Sequence, residues 1–155
     1  MQIAPFTQKD HKKVADFWAS IFAELGWTPN PRDGFDDIPA YFHLPEGFML
    51  LVKQDGKIVG CGGIKPMTTT TGIIKRFYIS PHHRGTGVAA KLLDKLIDQS
   101  QSRGFSRLVL DVSHTNTRAA RFYEKHGFTK YAQEPVVGWE QTSSPDKFFY
   151  YQRDI

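Results

Sequence analysis

Ile79–Ser80–Pro81–His82–His83–Arg84–Gly85–Thr86–Gly87–Val88–Ala89 is the stretch on which the fold turns. Before it, residues 72–79 form a strand-like apolar run that Pro81 breaks. After it, Val88, Ala89, Leu92, Leu93, Leu96 and Ile97 mark the buried face of a long helix. Lys91, Asp94, Lys95 and Asp98 lie outside, and Gly104 stands where the helix ends. A glycine-bearing turn thus joins a strand end to an amphipathic helix. Gly85 and Gly87 let a ligand approach the main chain unobstructed. The first turn of a helix leaves N–H groups unpaired and carries about half a positive charge, which suits phosphate oxygens. Arg84 adds a charged donor at the rim. The competing reading is a plain helix-opening turn whose glycines serve packing. A P-loop is excluded because no Lys-Ser or Lys-Thr follows Gly87, and a dinucleotide fingerprint because the third glycine is missing.

Working outward, residues 3–6 read as a first strand. Thr7 and Asp10 form a variant capping box ahead of a helix whose stripe is Val14, Phe17, Trp18, Ile21, Phe22 and Leu25, closed by Gly26. The segment 28–44, with three prolines and Asp33, Gly34, Asp36 and Asp37, predicts loop plus a short helix and has the composition of a substrate-side segment. Residues 48–53 and 57–64 predict a hairpin turning at Asp55-Gly56, the dipeptide of a type I′ turn. Gly60, Gly62 and Gly63 in its second arm predict a bulge or a close neighbour. Residues 107–112 read as a strand covered on both faces. Asn116 caps a shorter helix stopping at Gly127, and residues 128–132 and 147–153 are closing strands. The order is that of a mixed α/β sheet in one domain, residues 1–155, rather than a uniform βα alternation.

Composition agrees with this reading. Apolar residues make up 40% and charged residues 23%, ordinary globular usage that excludes collagen, coiled coil and a disordered chain. Cys61 is the one cysteine, so there is no internal disulfide, and no Cys/His group has zinc spacing; no metal is expected. No apolar run reaches membrane-spanning length and no signal peptide is visible, so the expectation is a soluble, cytoplasmic protein with no membrane partner. A net charge of +4 mildly favours anionic partners. The basic residues form no stripe interleaved with aromatics, which argues against nucleic acid.

A second motif lies about thirty residues beyond the turn: Asn116–Thr117–Arg118–Ala119–Ala120–Arg121–Phe122–Tyr123–Glu124–Lys125–His126–Gly127–Phe128. Together the two segments resemble the GNAT family of acyl-CoA-dependent N-acetyltransferases. The family's R/Q-x-x-G-x-G/A loop is matched at residues 82–87 and its Asn…Ala…Phe-Tyr…Gly-Phe segment at 116–128. Lys75–Arg76–Phe77–Tyr78–Ile79–Ser80–Pro81 resembles its central strand, and the likeness is good over residues 48–133. Two positions depart from the pattern. His82 stands where the family usually has Gln or Arg, and Ile73 where many relatives carry a glutamate that helps deprotonate the amine.

The resemblance implies a mostly antiparallel α/β (α+β) sheet of six to seven strands flanked by about four helices and splayed at its central strands. It implies acetyl-CoA as cosubstrate, its pyrophosphate on the N–H groups of Arg84, Gly85, Thr86, Gly87, Val88 and Ala89 and its pantetheine arm beside Tyr78, Ile79 and Asn116. An amine acceptor would attack the thioester directly, with Tyr123 protonating the departing thiolate. Asp111 and His114 are candidate bases, with Glu24 or Glu46 acting through water as alternatives. Trp27 and the aromatic and acidic residues of 28–44 and 133–146, among them Tyr41, Phe42, His43, Trp139 and Glu140, would shape the acceptor pocket. A homodimer is the expected assembly, since many relatives pair through their sheets. The competing function is a non-catalytic CoA-binding or regulatory module that kept the fold and lost the base.

Overall fold

The computed structural model describes residues 1–132 and 147–155. The expectation placed on residues 133–146, including Trp139 and Glu140, lies outside the described residues. In chain order the elements are β1 (Gln2–Pro5), α1 (His11–Leu25), α2 (Ile38–Phe42), β2 (Phe48–Gln54), β3 (Lys57–Pro66), β4 (Thr71–Ile79), α3 (Val88–Ser102), β5 (Arg107–Ser113), α4 (Thr117–Lys125), β6 (Thr129–Tyr131) and β7 (Phe148–Asp154). The strands form one sheet in the order β1-β2-β3-β4-β5-β7-β6. All neighbours run antiparallel except β4 and β5.

Local chemistry explains most boundaries. Asp55 and Gly56 both take positive φ, 50° and 72°, as a type I′ turn between β2 and β3 requires. Gly26 ends α1 in the left-handed region and closes it with an N–H to the Ala23 and Phe22 carbonyls. Asn116 caps α4 by accepting the Ala119 N–H at 3.2 Å.

The sheet separates two cores by strand alternation. Leu50, Val52, Ile64, Ile74, Leu108 and Leu110 face α3, where Leu92, Leu93 and Leu96 are fully buried. Met49, Leu51 and Cys61 face Val14, Trp18 and Ile21 of α1 and Phe42 of α2. The glycines of β3 make room for both layers: a Cβ at Gly63 would stand 2.4 Å from the Phe42 ring, and one at Gly62 2.9 Å from Phe77.

Two irregularities shape the middle of the sheet. β4 and β5 pair only through Thr71↔Arg107, Gly72↔Leu108 and Ile73↔Val109, and then part. Opposite β3, the register of β4 shifts between Lys75 and Tyr78, so that Arg76 and Phe77 stand against Gly62 alone as a β-bulge.

Candidate active site

The turn after β4 is tied down by hydrogen bonds in its first half and leaves main-chain N–H groups unpaired in its second. Pro81–His83 makes a short 3₁₀ turn, Gly85 and Gly87 take φ of 74° and 85°, and α3 begins at Val88. The first bond closing the helix is from the Lys91 N–H to the Gly87 carbonyl. The N–H groups of residues 85–90 therefore have no partner among the described residues, the condition in which a helix start receives an anion. The scaffold beneath is polar. His83 bonds Ser80 Oγ through Nδ1 at 2.7 Å and Gln54 Oε1 through Nε2 at 2.8 Å, and the Thr86 hydroxyl donates to the His83 carbonyl at 2.6 Å. His83 ties the turn to β2, a role that its place in the sequence did not announce.

Arg84 departs from the expectation of a charged donor at the rim. Its Nε donates to the Ile79 carbonyl at 3.0 Å, and its two η nitrogens grip the Glu24 carboxylate at 2.5 and 2.8 Å. The guanidinium lashes the turn to α1 and, by bonding to Glu24, holds that carboxyl below the usual range. The Arg84 N–H, one of the amides expected to be free, donates to the Pro81 carbonyl at 3.3 Å, so the unpaired amides of the turn begin at Gly85. The Ile79 side chain packs into the core under α3, so only its main chain borders the turn.

Beyond Ile73 and Val109 the parted strands open a cleft of about 1100 Å³, walled by residues 74–78 of β4, residues 110–113 of β5, the start of α4 and segment 25–41. Tyr123 reaches it from α4, 6% exposed, its ring set among Phe77, Phe122 and Phe128 at 5.3–5.9 Å. Burial, with Asp111 and Tyr78 nearby, pushes its phenol well above the ordinary 10. Such a group stays protonated and can give a proton to a strong base. Asn116 lines the same wall; since its Oδ1 caps α4, its amino group is the part left for a ligand. Tyr78 completes this wall, its phenol pushed up to about 12 by burial.

Of the candidate bases, the structure brings only Asp111 into the cleft, 3.5 Å from Lys75 Nζ across the mouth of the gap. His114 is not brought there: its ring lies 4.0 Å from that of Phe149 and its N–H bonds the Lys147 carbonyl. Glu24 is held by Arg84, and Glu46 lies exposed away from the cleft. Ile73 is fully buried with Val109, packed against the partly buried Met67, Tyr131 and Tyr150. Cys61 is also fully buried. Its thiol donates to the Arg76 carbonyl at 3.1 Å and is pushed up to about 12, which leaves it inert as a nucleophile.

At the far end of the cleft stands Arg76, which sequence reasoning had not singled out as a site residue. Arg76 takes φ of 55° in the bulge, with its side chain 10% exposed. Its guanidinium lies 4.9–5.2 Å from the ring centres of Tyr41, Trp18 and Phe22. From the expected segment 28–44, Asp33, Asp36, Asp37 and Tyr41 line the cleft. Phe42 instead goes into the core, and His43 is an exposed helix end. Trp27 sits at the rim, 47% exposed.

Comparison with known proteins agrees with this architecture. Residues 14–128 match the model of the acetyltransferase (GNAT) family. The chain belongs to that family. It is 28% identical over 130 residues to the uncharacterised N-acetyltransferase YjgM of Escherichia coli strain K12, covering 79% of this chain and 78% of that protein. A GNAT-family acetyltransferase of Staphylococcus aureus Mu50 shares the fold at a TM-score of 0.85 and 18% identity, covering 99% of this chain and 98% of that one. An aminoglycoside 6'-N-acetyltransferase complexed with coenzyme A does so at 0.75 and 17%, covering 99% and 97%.

Proposed function

We propose that this acetyltransferase takes its acetyl group from acetyl-CoA and passes it directly to a primary amine of a small molecule or peptide. The observation that carries the reading is the row of bare amides at the start of α3, set at the end of the strand whose parting from β5 opens the cleft. Diphosphate oxygens suit those amides, and the parted strands suit a narrow arm reaching the cleft. The structural neighbour crystallised with coenzyme A is consistent with this assignment.

In the reaction, a neutral amine nitrogen attacks the thioester carbon. A main-chain N–H at the bulge of Arg76 and Phe77 polarises the carbonyl oxygen. As the C–S bond breaks, Tyr123 gives its phenolic proton to the thiolate. The proton shed by the amine passes through water to Asp111, whose carboxylate stands on the mouth of the gap, and Asp111 returns a proton to Tyr123 through solvent. No acyl-enzyme forms, because the chain's only cysteine is buried and stays a thiol.

Ile73 favours a second reading, a CoA-binding module without transferase activity, because the position where relatives carry a base is apolar and closed. One experiment separates the two. Acetyl-CoA should raise the melting temperature under both readings. Thiol release with a panel of amino acids, polyamines, aminoglycosides and short peptides is expected only for the transferase. A melting temperature unmoved by acetyl-CoA sinks both readings, and binding without thiol release for any amine leaves the module.

A further inference from the structure

We infer that Arg76 is a positioning residue that latches segment 30–42 onto β4 and thereby sets the acceptor end of the cleft; this rests on the acetyl-transfer reading above. The guanidinium joins two parts of the chain far apart in sequence. One η nitrogen donates to the Asp33 carbonyl at 2.6 Å and stands 3.3 Å from the Asp33 carboxylate. The other reaches the Tyr78 hydroxyl at 3.4 Å, on the wall beside Tyr123. A planar fork can bridge two such sites at fixed spacing, which a lysine cannot.

The segment it holds is built to be held. Asn30 accepts the Arg32 N–H and donates its own N–H to the Asp33 carboxylate, and Asp37 caps α2 through the Ala40 N–H. Gly34, at φ 83°, packs so closely that a Cβ would stand 2.6 Å from the Tyr41 ring. The Tyr41 ring in turn lies over the Arg76 guanidinium. Segment, ring and guanidinium form one stack resting on the β4 bulge.

Stability is a poor explanation for this arrangement. The side chain is charged and nine-tenths buried, its residue adopts a left-handed φ unusual outside glycine, and its Nε–H is buried with no partner among the described residues. Buried ion pairs are often matched or bettered by apolar residues of similar volume. Backbone strain and an orphaned donor beside a reaction cleft point to function.

The test uses the full chain as wild type, Arg76→Met, Arg76→Lys and Gly34→Ala. Hydrogen exchange is followed by mass spectrometry, and steady-state thiol release with the amine panel. In Arg76→Met, amides of residues 30–42 should exchange at least about tenfold faster while those of β2 and α3 keep their rates. The KM for any accepted amine should rise about tenfold while that for acetyl-CoA stays within about twofold, since a small misplacement of the acceptor is costly. Arg76→Lys should fall between, keeping the charge without the fork. A role in stability alone would move the melting temperature and leave this division between the two KM values untouched. Gly34→Ala breaks the stack from the other side and should give the same pattern, which keeps the test open if Arg76→Met fails to fold. Wild-type exchange rates over 30–42 in both Arg76→Met and Gly34→Ala, or an amine KM unchanged in both, would overturn the latch. The exchange arm needs no acceptor. It therefore judges the latch even if the wild type releases no thiol, a result that would instead sink the acetyl-transfer reading.

Discussion

In the turn that opens α3 the groups left unpaired are main-chain N–H groups of residues 85–90, and the Arg84 side chain is spent on Glu24 and the Ile79 carbonyl. The far wall of the cleft is instead held together by side chains, and the central one, Arg76, meets its partner Asp33 across 43 residues of sequence. The first end is local chemistry: two left-handed glycines, a helix start and a polar scaffold within a few residues. The second end exists only because α1, segment 30–42 and the β4 bulge come together. An amide-built site is insensitive to side-chain identity but sensitive to backbone conformation, and a side-chain-built site is the reverse.

That contrast can be broken by experiment. The largest expected effect is at the amide end. Gly87→Val puts a β-branched residue at φ 85° and a side chain where the ligand must approach, although no protein atom lies within 4 Å of the new Cβ. Losing two charge-assisted hydrogen bonds at about 1.5 kcal/mol each should weaken acetyl-CoA binding about 100-fold by calorimetric titration, with an unchanged circular dichroism spectrum. Retained affinity would show that the amides are not the binding site.

Tyr123→Phe comes next. It should lower turnover by about 100-fold and leave acetyl-CoA affinity within about twofold. The wild-type phenol is raised above its ordinary 10, so the proton-donating form persists on the alkaline side. The pH–rate profile should then show no loss below pH 10 assignable to this group; an alkaline limb below pH 10 that Tyr123→Phe removes would contradict the raised phenol, and unchanged turnover in Tyr123→Phe would contradict the acid role.

Arg84→Ala tests whether the guanidinium of the turn serves structure rather than the ligand. Arg84 and Glu24 side chains are 23% and 34% exposed, so the pair belongs near the low end for bidentate ion pairs. A cost of about 1 kcal/mol would lower the melting temperature by about 2–4 °C. Acetyl-CoA affinity should change by less than about fivefold; a loss as large as that of Gly87→Val would make the side chain a ligand contact.

The smallest effect serves as a control remote from both ends. Burial opposes ionisation of Asp10, but hydrogen bonds from Lys53 and Thr7 outweigh it, and the carboxyl sits below its ordinary 3.8. A depressed folded-state value means that its stabilisation is present above 3.8 and is lost as pH falls through the lower value. Asp10→Asn should therefore cost about 0.5–1 kcal/mol at pH 7, with the difference shrinking at the acid end of a melting series and neither KM affected.

Much of this was legible in the residues. The helical stripe of α1, the Asp55-Gly56 turn, the glycine-crowded β3, the Asn116 cap and the bare turn at 85–87 all arise from interactions within a few positions. Tyr123 and Asp111 reach the cleft, as motif and strand position suggested. His114 does not, because a loop residue just past a strand end can face either way, and packing against Phe149 decided which. The direction of Arg84 depended on Glu24, sixty residues away.

Sequence alone determined the order of elements, the two-sided apolar patterning of the strands and the glycine-built start of α3 with its unpaired N–H groups, because each rests on short-range sterics and local backbone bonding. Only the tertiary structure decided that β4 and β5 pair for three residues and then part, that the register of β4 slips at Arg76, and that a buried guanidinium closes the far end of the cleft. Those features come from the competition of distant segments for the same interior space, which no local pattern records.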